Sequence, residues 1–126
     1  MSKQVISTVS APAAIGTYSQ AVRVGNTIWV SGQIPLDPAT KDMVPGDFEA
    51  QARQAFANMA AIVSAAGATL DDVVKVNISV TDLANFATVN AVMSIHVREP
   101  YPARAAVGVA SLPRGALIEV ECIIAL

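Results

Sequence analysis

Residues 47–80 read DFEAQARQAFANMAAIVSAAGATLDDVVKVNISV, in which a helical period is followed by a strand period. Asp47 suits the N-cap of the helix, and Glu49 falls in its first turn, where a carboxylate is favourable. Apolar side chains then recur at spacings of three and four, which predicts one buried helical face, and Gly67 ends the helix. The predicted face consists of Ala52, Ala55, Phe56, Met59, Val63 and Ala66.

The segment after this helix carries an apolar residue at every second position, which is the period of a half-buried strand. These residues are Val74, Val76, Ile78 and Val80. Asp82 then suits the cap of a second helix, which cannot continue through Pro100 and Pro102. The residues predicted to face inward from this helix are Phe86, Val89, Met93 and Val97.

The segments on either side predict further strands. Residues 4–8 form a short strand, and residues 21–24 and 27–30 flank Gly25 and Asn26, a two-residue hairpin turn. Residues 31–46, with three prolines and two glycines, are predicted to be mostly loop, whereas residues 104–110 and 116–125 are strands joined by a turn at 112–115. The sequence therefore predicts an α+β fold, with one six-stranded, mostly antiparallel sheet and two helices on one face.

The composition excludes several classes of protein. The chain has 126 residues, of which 53% are hydrophobic and 14% charged. It has no internal repeat or linker, so a single domain over residues 1–126 is expected. Apolar surface is ample for folding, which excludes intrinsic disorder. Because no apolar run exceeds five residues, whereas a membrane span needs about 20, no membrane partner is expected. No secretory segment is visible and one cysteine suits a reducing compartment, so a cytoplasmic location is expected.

The charge balance bears on the partners. Eight basic and ten acidic residues give a net charge of −2, and the pI is near 5.1, which argues against a nucleic-acid partner. A mean hydropathy of +0.49 with so few charges indicates that another subunit covers part of the apolar surface. Two helices leave one face of a six-stranded sheet open, so a homo-oligomer is predicted.

The common catalytic motifs are missing from the sequence. It contains no GxGxxG, no phosphate-binding loop and no GxSxG elbow. The single His96 and single Cys122 cannot build a zinc site with the usual ligands, so no such site is expected. His96, beside Arg98 near a helix end, is interpreted as a solvated or dipole-interacting residue, and Cys122 as a small buried hydrophobe.

Three charges in apolar strands are the strongest candidates for chemistry. Arg104 is a lone cation in its strand, and Glu119 and Glu121 alternate so that both lie on one face of the last strand. Such charges form either an internal ion pair that fixes the strand register or a ligand site. Because a guanidinium binds both carboxylate oxygens at once, the second interpretation predicts a small organic acid as the ligand. The spacing alone leaves both interpretations open.

Four separated segments carry a family resemblance: APAAIGTYSQ at 11–20, SGQIP at 31–35, PARAAV at 102–107 and IEVEC at 118–122. In this order they resemble the RidA/YjgF family of imine and enamine deaminases. The resemblance implies a chorismate-mutase-like fold and a homotrimer with sites between subunits. It also implies hydrolysis of 2-imino and 2-enamino acids, such as 2-aminoacrylate and 2-iminobutanoate, to 2-keto acids and ammonia without a cofactor or metal.

The resemblance assigns roles to individual residues. Arg104 corresponds to the arginine that grips the substrate carboxylate, and Glu119 to the acid that orients and activates the water. The other implied pocket residues are Tyr18, which closes the cleft, Ser31, Asn90, and the main-chain groups of Gly32 and Ala106. The sequence departs from the family's usual pattern at Thr17, where proline is common, and at Ala106, where a cysteine often stands.

Other interpretations remain open at this point. Tyr18 could cap the core with its ring, and Ser31 could serve turn geometry beside Gly32. An amide at Asn90, close to an apolar stripe, would be costly without a partner, which favours function there. The alternatives to the deaminase are a non-catalytic protein that binds small metabolites or acts as a holdase and, less favoured, an endoribonuclease.

Overall fold

A computed structural model describes residues 2–126 of the chain. Six strands form one sheet in the order β1-β2-β3-β6-β4-β5, in which only β4 and β5 are parallel. The predicted α+β class is confirmed. The elements are β1 (Gln4–Ile6), β2 (Ala21–Val24), β3 (Thr27–Gln33), α1 (Phe48–Ala65), β4 (Val73–Val80), α2 (Phe86–His96), β5 (Ala103–Gly108) and β6 (Ile118–Ala125), with 3₁₀ turns at Leu70–Asp72, Leu83–Asn85 and Pro113–Gly115.

The core lies between one face of the sheet and the two helices. The N-cap of α1 is as predicted, because the Asp47 carboxylate accepts a hydrogen bond from the Ala50 N–H at 3.0 Å. Gly67, at φ +79°, follows the end of the helix in the left-handed region that favours glycine. The predicted face of α1 is confirmed except at Ala66, which is half-buried, and Ile62 joins it; the buried members are Ala52, Ala55, Phe56, Met59, Ile62 and Val63.

The predicted alternation of buried and exposed residues in β4 fails at the start of the strand. A register irregularity lies between Val73 and Lys75 in the pairing with β6, so Val73 is buried and Val74 is 46% exposed. A bulge of this kind puts an extra residue into one strand and reverses the side that the preceding residue faces. The prediction that Val74 lies in the core was therefore wrong, whereas Val76, Ile78 and Val80 are buried as expected.

Several boundaries also differ from those predicted. Strand β1 ends at Ile6 instead of residue 8, β5 spans Ala103–Gly108 instead of 104–110, and β6 begins at Ile118 instead of 116. The strand β3 continues to Gln33, so residues 31–33 belong to the sheet and not to the loop. Asp82 caps the 3₁₀ turn Leu83–Asn85, and α2 begins after it at Phe86, which is half-buried instead of being in the core. In the hairpin turn only Gly25 has a positive φ, as a type II′ turn requires at its first central position.

The second face of the sheet is not covered by either helix. It bears apolar side chains, among them Trp29 at 44% and Val107 at 51% exposure, together with Glu119 and Glu121. None of the helices over residues 2–126 has the length and apolar character needed to cross a membrane.

Candidate active site

Glu119 projects from β6 into an open cleft of about 450 Å³. This space, which we call the Glu119 cleft, is lined by Ile15, Tyr18, Gly32, Leu36, Arg114 and Glu119 among others. Gly32 lies where the pairing of β3 with β6 shifts register between Val30 and Gln33. A Cβ placed on Gly32 would stand 2.7 Å from Cδ of Glu119, so the carboxylate occupies the space that any other side chain would fill. The glycine of the segment 31–35 therefore leaves the space that the glutamate of the segment 118–122 occupies.

The environment of Glu119 favours proton exchange. Burial raises the pKa of its carboxyl above the ordinary value, and the negative charge of Glu121 raises it further. Among residues 2–126 no cation lies within ion-pair distance of Glu119. A raised pKa makes the carboxylate a stronger base than that of a solvated glutamate, which suits it to accept a proton and return it.

Tyr18 reaches the Glu119 cleft from a loop that buried polar groups hold in place. The side-chain amide of Gln20 donates to the carbonyls of Thr8 and Pro12 at 3.1 and 2.7 Å. The Ser31 hydroxyl donates to the Ser19 carbonyl at 2.6 Å. Ser31 thus fixes the chain next to Tyr18 and does not line the cleft, whereas the Tyr18 ring is 53% exposed and does not cap the core.

Arg104 lies in a second cleft, of about 410 Å³, which we call the Arg104 cleft. Its walls include Asn90, Met93, Tyr101 and Pro102. One terminal nitrogen of the guanidinium, Nη1, donates to Oδ1 of Asn90. The same guanidinium lies over the Phe86 ring, 5.4 Å from its centroid, which is a cation–π distance. The amide of Asn90 therefore has a partner, and the partner is the predicted carboxylate-binding group.

Within one chain, the two clefts are separate. Arg104 is opposite Val76 on β4, and Val76 is opposite Cys122 on β6, so Arg104 is on the helix-covered side of the sheet. Glu119 is opposite Ser79, on the uncovered side. The interpretation that Arg104 pairs with a glutamate across adjacent strands was wrong, because β4 lies between β5 and β6.

Neither Glu121 nor Ala106 lines one of the two clefts with its side chain. The Asn77 side-chain amide approaches Oε1 of Glu121 at 3.5 Å, and Glu121 is exposed. Ala106 packs its methyl group against the core from the edge strand β5. The Val109 N–H donates to the Val80 carbonyl at 2.9 Å, and backbone groups alternate along a strand, so the Ala106 N–H points away from β4.

Cys122 and His96, which the sequence analysis interpreted as non-catalytic, both pack within the fold. Cys122 is buried, which raises the pKa of its thiol to about 12. His96 differs from the prediction, because its ring is half-buried and stacks on Phe56 with centroids 5.8 Å apart, instead of being solvated. Burial, followed by the charge of Arg53, lowers the pKa of His96, so the ring stays neutral at higher acidity than usual. Over residues 2–126 no cluster of three or more His, Cys, Asp or Glu side chains could hold a metal ion.

The sequence analysis did not point to Phe86, which contacts Arg104, or to Arg114, which lines the Glu119 cleft. Phe86 carried the signal of a core residue, since it begins the apolar stripe of α2, but it lies against Arg104. Arg114 carried only the signal of a turn, yet it lines the Glu119 cleft and donates from Nη1 to the Lys41 carbonyl at 2.9 Å. That contact joins two loops far apart in sequence, which a local pattern could not reveal.

The fold and its clefts define a small α+β protein with the Arg104 guanidinium in one cleft and the half-buried Glu119 carboxyl in the other. The family model described as Endoribonuclease L-PSP matches residues 8–126. A Dermatophagoides farinae protein named 2-iminobutanoate/2-iminopropanoate deaminase is 50% identical, over 97% of this chain and 95% of its own. The RidA structure from Psychrobacter sp. is 54% identical with a TM-score of 0.93, over 98% and 99% of the two chains. The structure of E. coli TdcF with bound serine is 41% identical with a TM-score of 0.91, over 98% of each chain.

The chain belongs to the RidA/YjgF family. The resemblance carried by the four motifs is thereby confirmed, and the names within the family include both deaminases and endoribonucleases.

Proposed function

We propose that this protein hydrolyses reactive 2-imino and 2-enamino acids to 2-keto acids and ammonia. The observation that carries the proposal is the Glu119 carboxyl, which is half-buried against Gly32 in an open cleft, with a raised pKa. The names of relatives such as the Dermatophagoides farinae deaminase support the same reaction.

Arg104 is proposed to bind the substrate carboxylate. Its Nη1 is engaged with Asn90, which fixes the plane of the guanidinium while leaving other N–H groups to point into the Arg104 cleft. Phe86 beneath the guanidinium limits its tilt. Fixing the carboxylate turns the attack of water into a positioned reaction of one complex. Serine in E. coli TdcF is also a carboxylate-bearing ligand, which supports this role.

Glu119 is proposed to direct the water and carry the protons. An enamine first takes a proton at C3 and becomes the imine, whose C2 is electrophilic. Water then adds to C2, and Glu119 passes one of its protons to the nitrogen, which gives the carbinolamine. Glu119 then takes the proton of the C2 hydroxyl and gives it to the nitrogen, so that the C–N bond breaks and ammonia leaves as the C2=O bond forms. Tyr18 is proposed to close the cleft over the substrate, the main-chain groups of Gly32 and Ala106 to complete the site, and Ser31 to hold the Tyr18 loop.

A homotrimer is proposed to bring the two clefts together at each subunit interface. The separation of Arg104 from Glu119 within one chain supports this, because neither cleft holds both groups. The uncovered sheet face with Trp29 and Val107 also supports burial against another copy. A solution mass near three times 13.0 kDa is expected, and a monomer at micromolar concentration would contradict the composite site.

Coupling to a threonine dehydratase tests the activity. The dehydratase releases the enamine, and spontaneous hydrolysis delays the appearance of the 2-keto acid and ammonia. We expect the protein to shorten that lag, Glu119→Gln to abolish the effect, and the exposed Arg53→Gln to preserve it as the matched control. A lag that the wild-type protein leaves unchanged would contradict the proposal.

A non-catalytic role in binding small amino or keto acids is the second candidate, because E. coli TdcF holds serine. It predicts saturable binding of a keto acid with an unchanged lag, and a holdase predicts suppressed aggregation of a client protein. The endoribonuclease of the family description is less favoured, since a pI near 5.1 opposes RNA binding. RNA cleavage lost in both Arg104→Ala and Glu119→Gln would support that role.

A further inference from the structure

Arg114 and Lys41 share an unusual backbone conformation and contact each other. Within residues 2–126 they are the non-glycine residues with positive φ, at +58° and +66°. Nη1 of Arg114 donates to the Lys41 carbonyl at 2.9 Å. Left-handed conformations of such residues are uncommon, and they persist where the surroundings impose them, often at ligand sites. The contact holds a guanidinium at the wall of the Glu119 cleft.

The guanidinium of Arg114 forms no ion pair with any carboxylate of residues 2–126. A guanidinium has five N–H donors, and the contact with Lys41 uses one of them. Over residues 2–126 no carboxylate lies within ion-pair distance of Arg114, and the adjoining walls are apolar at Ile15, Leu36 and Pro113. Glu119 lines the same cleft without forming an ion pair with Arg114, so a ligand can lie between the two.

We propose that Arg114 binds a second carboxylate, at the end of the substrate side chain, and that the site therefore favours 2-imino dicarboxylates such as 2-iminoglutarate. This inference rests on the proposed function. With C2 beside the water directed by Glu119, the side chain extends into the Glu119 cleft, whose volume of about 450 Å³ is in the range of small-molecule sites. The reaction is the same: water adds to C2, the C–N bond breaks, and 2-oxoglutarate and ammonia form. The distal carboxylate takes no part in it.

Competition between substrates tests the inference. 2-Iminoglutarate and 2-iminobutanoate are generated in place from glutamate and 2-aminobutyrate by amino-acid oxidases, and kcat/KM is measured for each. In Arg114→Gln we expect the ratio of the first to the second to fall about ten- to a hundredfold, the value of a charge-assisted hydrogen bond. Arg114→Lys should recover part of the ratio, and the surface control Arg53→Gln should leave it unchanged. An equal loss for both substrates would mean that Arg114 only holds the loop at Lys41, and would overturn the inference.

Binding of the stable products separates this inference from the proposed function. Titration calorimetry with 2-oxoglutarate and 2-oxobutanoate requires no turnover. A preference for 2-oxoglutarate that disappears in Arg114→Gln would support the inference even in a protein without deaminase activity. A wild-type preference for 2-oxobutanoate, or one that Arg114→Gln leaves unchanged, would overturn it while leaving the deaminase proposal intact.

Discussion

Gly32 and Glu119 are in such close contact that a Cβ on the glycine would lie 2.7 Å from Cδ and 3.0 Å from both carboxylate oxygens of the glutamate. The register shift in β3 brings the backbone of Gly32 against the side chain from β6. The backbone of Gly32 thus partly desolvates the carboxylate, and the carboxylate can take this orientation only because residue 32 has no side chain.

Gly32→Ala should reduce activity strongly and destabilise the fold by about 1–3 kcal/mol, as overpacking does. Thermal unfolding and the deaminase assay measure the two effects. The double variant Gly32→Ala with Glu119→Ala provides the control, because it removes the collision and should recover most of the lost stability. Equal destabilisation by Gly32→Ala in both backgrounds would show that the contact is not its cause.

Glu119→Gln should abolish deamination while leaving the binding of 2-oxobutanoate intact, because the amide keeps the shape but accepts no proton. Glu121→Gln is the matched control, since Glu121 is exposed and contacts Asn77 instead of lining the cleft. It should keep turnover. An active Glu119→Gln enzyme beside an inactive, folded Glu121→Gln enzyme would reverse the assignment.

The activity should fall with acidity at a higher pH than an ordinary glutamate would give. Glu119 acts as a base only when ionised, and burial and the charge of Glu121 both raise its pKa. Glu121→Gln should therefore move the acidic limb of the kcat/KM profile to lower pH. If the acidic limb of the profile stays at the same pH in Glu121→Gln, the titration of Glu119 does not cause it.

The same pKa shift predicts a change in stability. Between the unfolded and the folded pKa of Glu119 the folded state binds more protons, so the free energy of unfolding decreases as the pH rises through that range. Glu119→Gln should therefore unfold at a higher temperature than the wild type at neutral pH, and the difference should shrink as the pH falls. A lower melting temperature for Glu119→Gln at neutral pH would contradict the account of its burial.

Arg104→Lys should lose most of the activity although it keeps the charge. An ammonium cannot bind a carboxylate through a planar fork while also donating to Asn90, and the loss of a charge-assisted bond is about ten- to a hundredfold in kcat/KM. Arg53→Lys on the surface of α1 is the control. Full activity of Arg104→Lys would make Arg104 a structural residue.

Local patterns predicted much of the fold. The N-cap at Asp47, the stop at Gly67 and the hairpin at Gly25 depend on neighbouring residues, and the structure has all three. The bulge that exposes Val74 and the half-buried position of Phe86 depend on pairing and packing with distant segments. An alternating pattern does not contain that information.

The candidate site could be predicted only in part. The sequence motifs pointed to Glu119 and Arg104. They did not show that the two residues lie on opposite faces of the sheet, because this depends on the strand order, in which β4 separates β5 from β6. That order results from long-range pairing and has no signature in either strand alone. Arg114 was missed for a similar reason. Its position depends on a hydrogen bond to the carbonyl of Lys41, which is 73 positions away in the sequence.

The most direct test of the central claim, that each site takes Arg104 from one subunit and Glu119 from another, is complementation between two inactive variants. Arg104→Ala and Glu119→Gln chains, carrying different tags, are unfolded and refolded together, and the mixed trimers are verified by mass. Each mixed trimer would contain one site with both wild-type groups, so random assembly should recover about a quarter of the wild-type deaminase activity. Mixed trimers with no more activity than the separate variants would contradict the account, because both groups of a site would then come from the same chain.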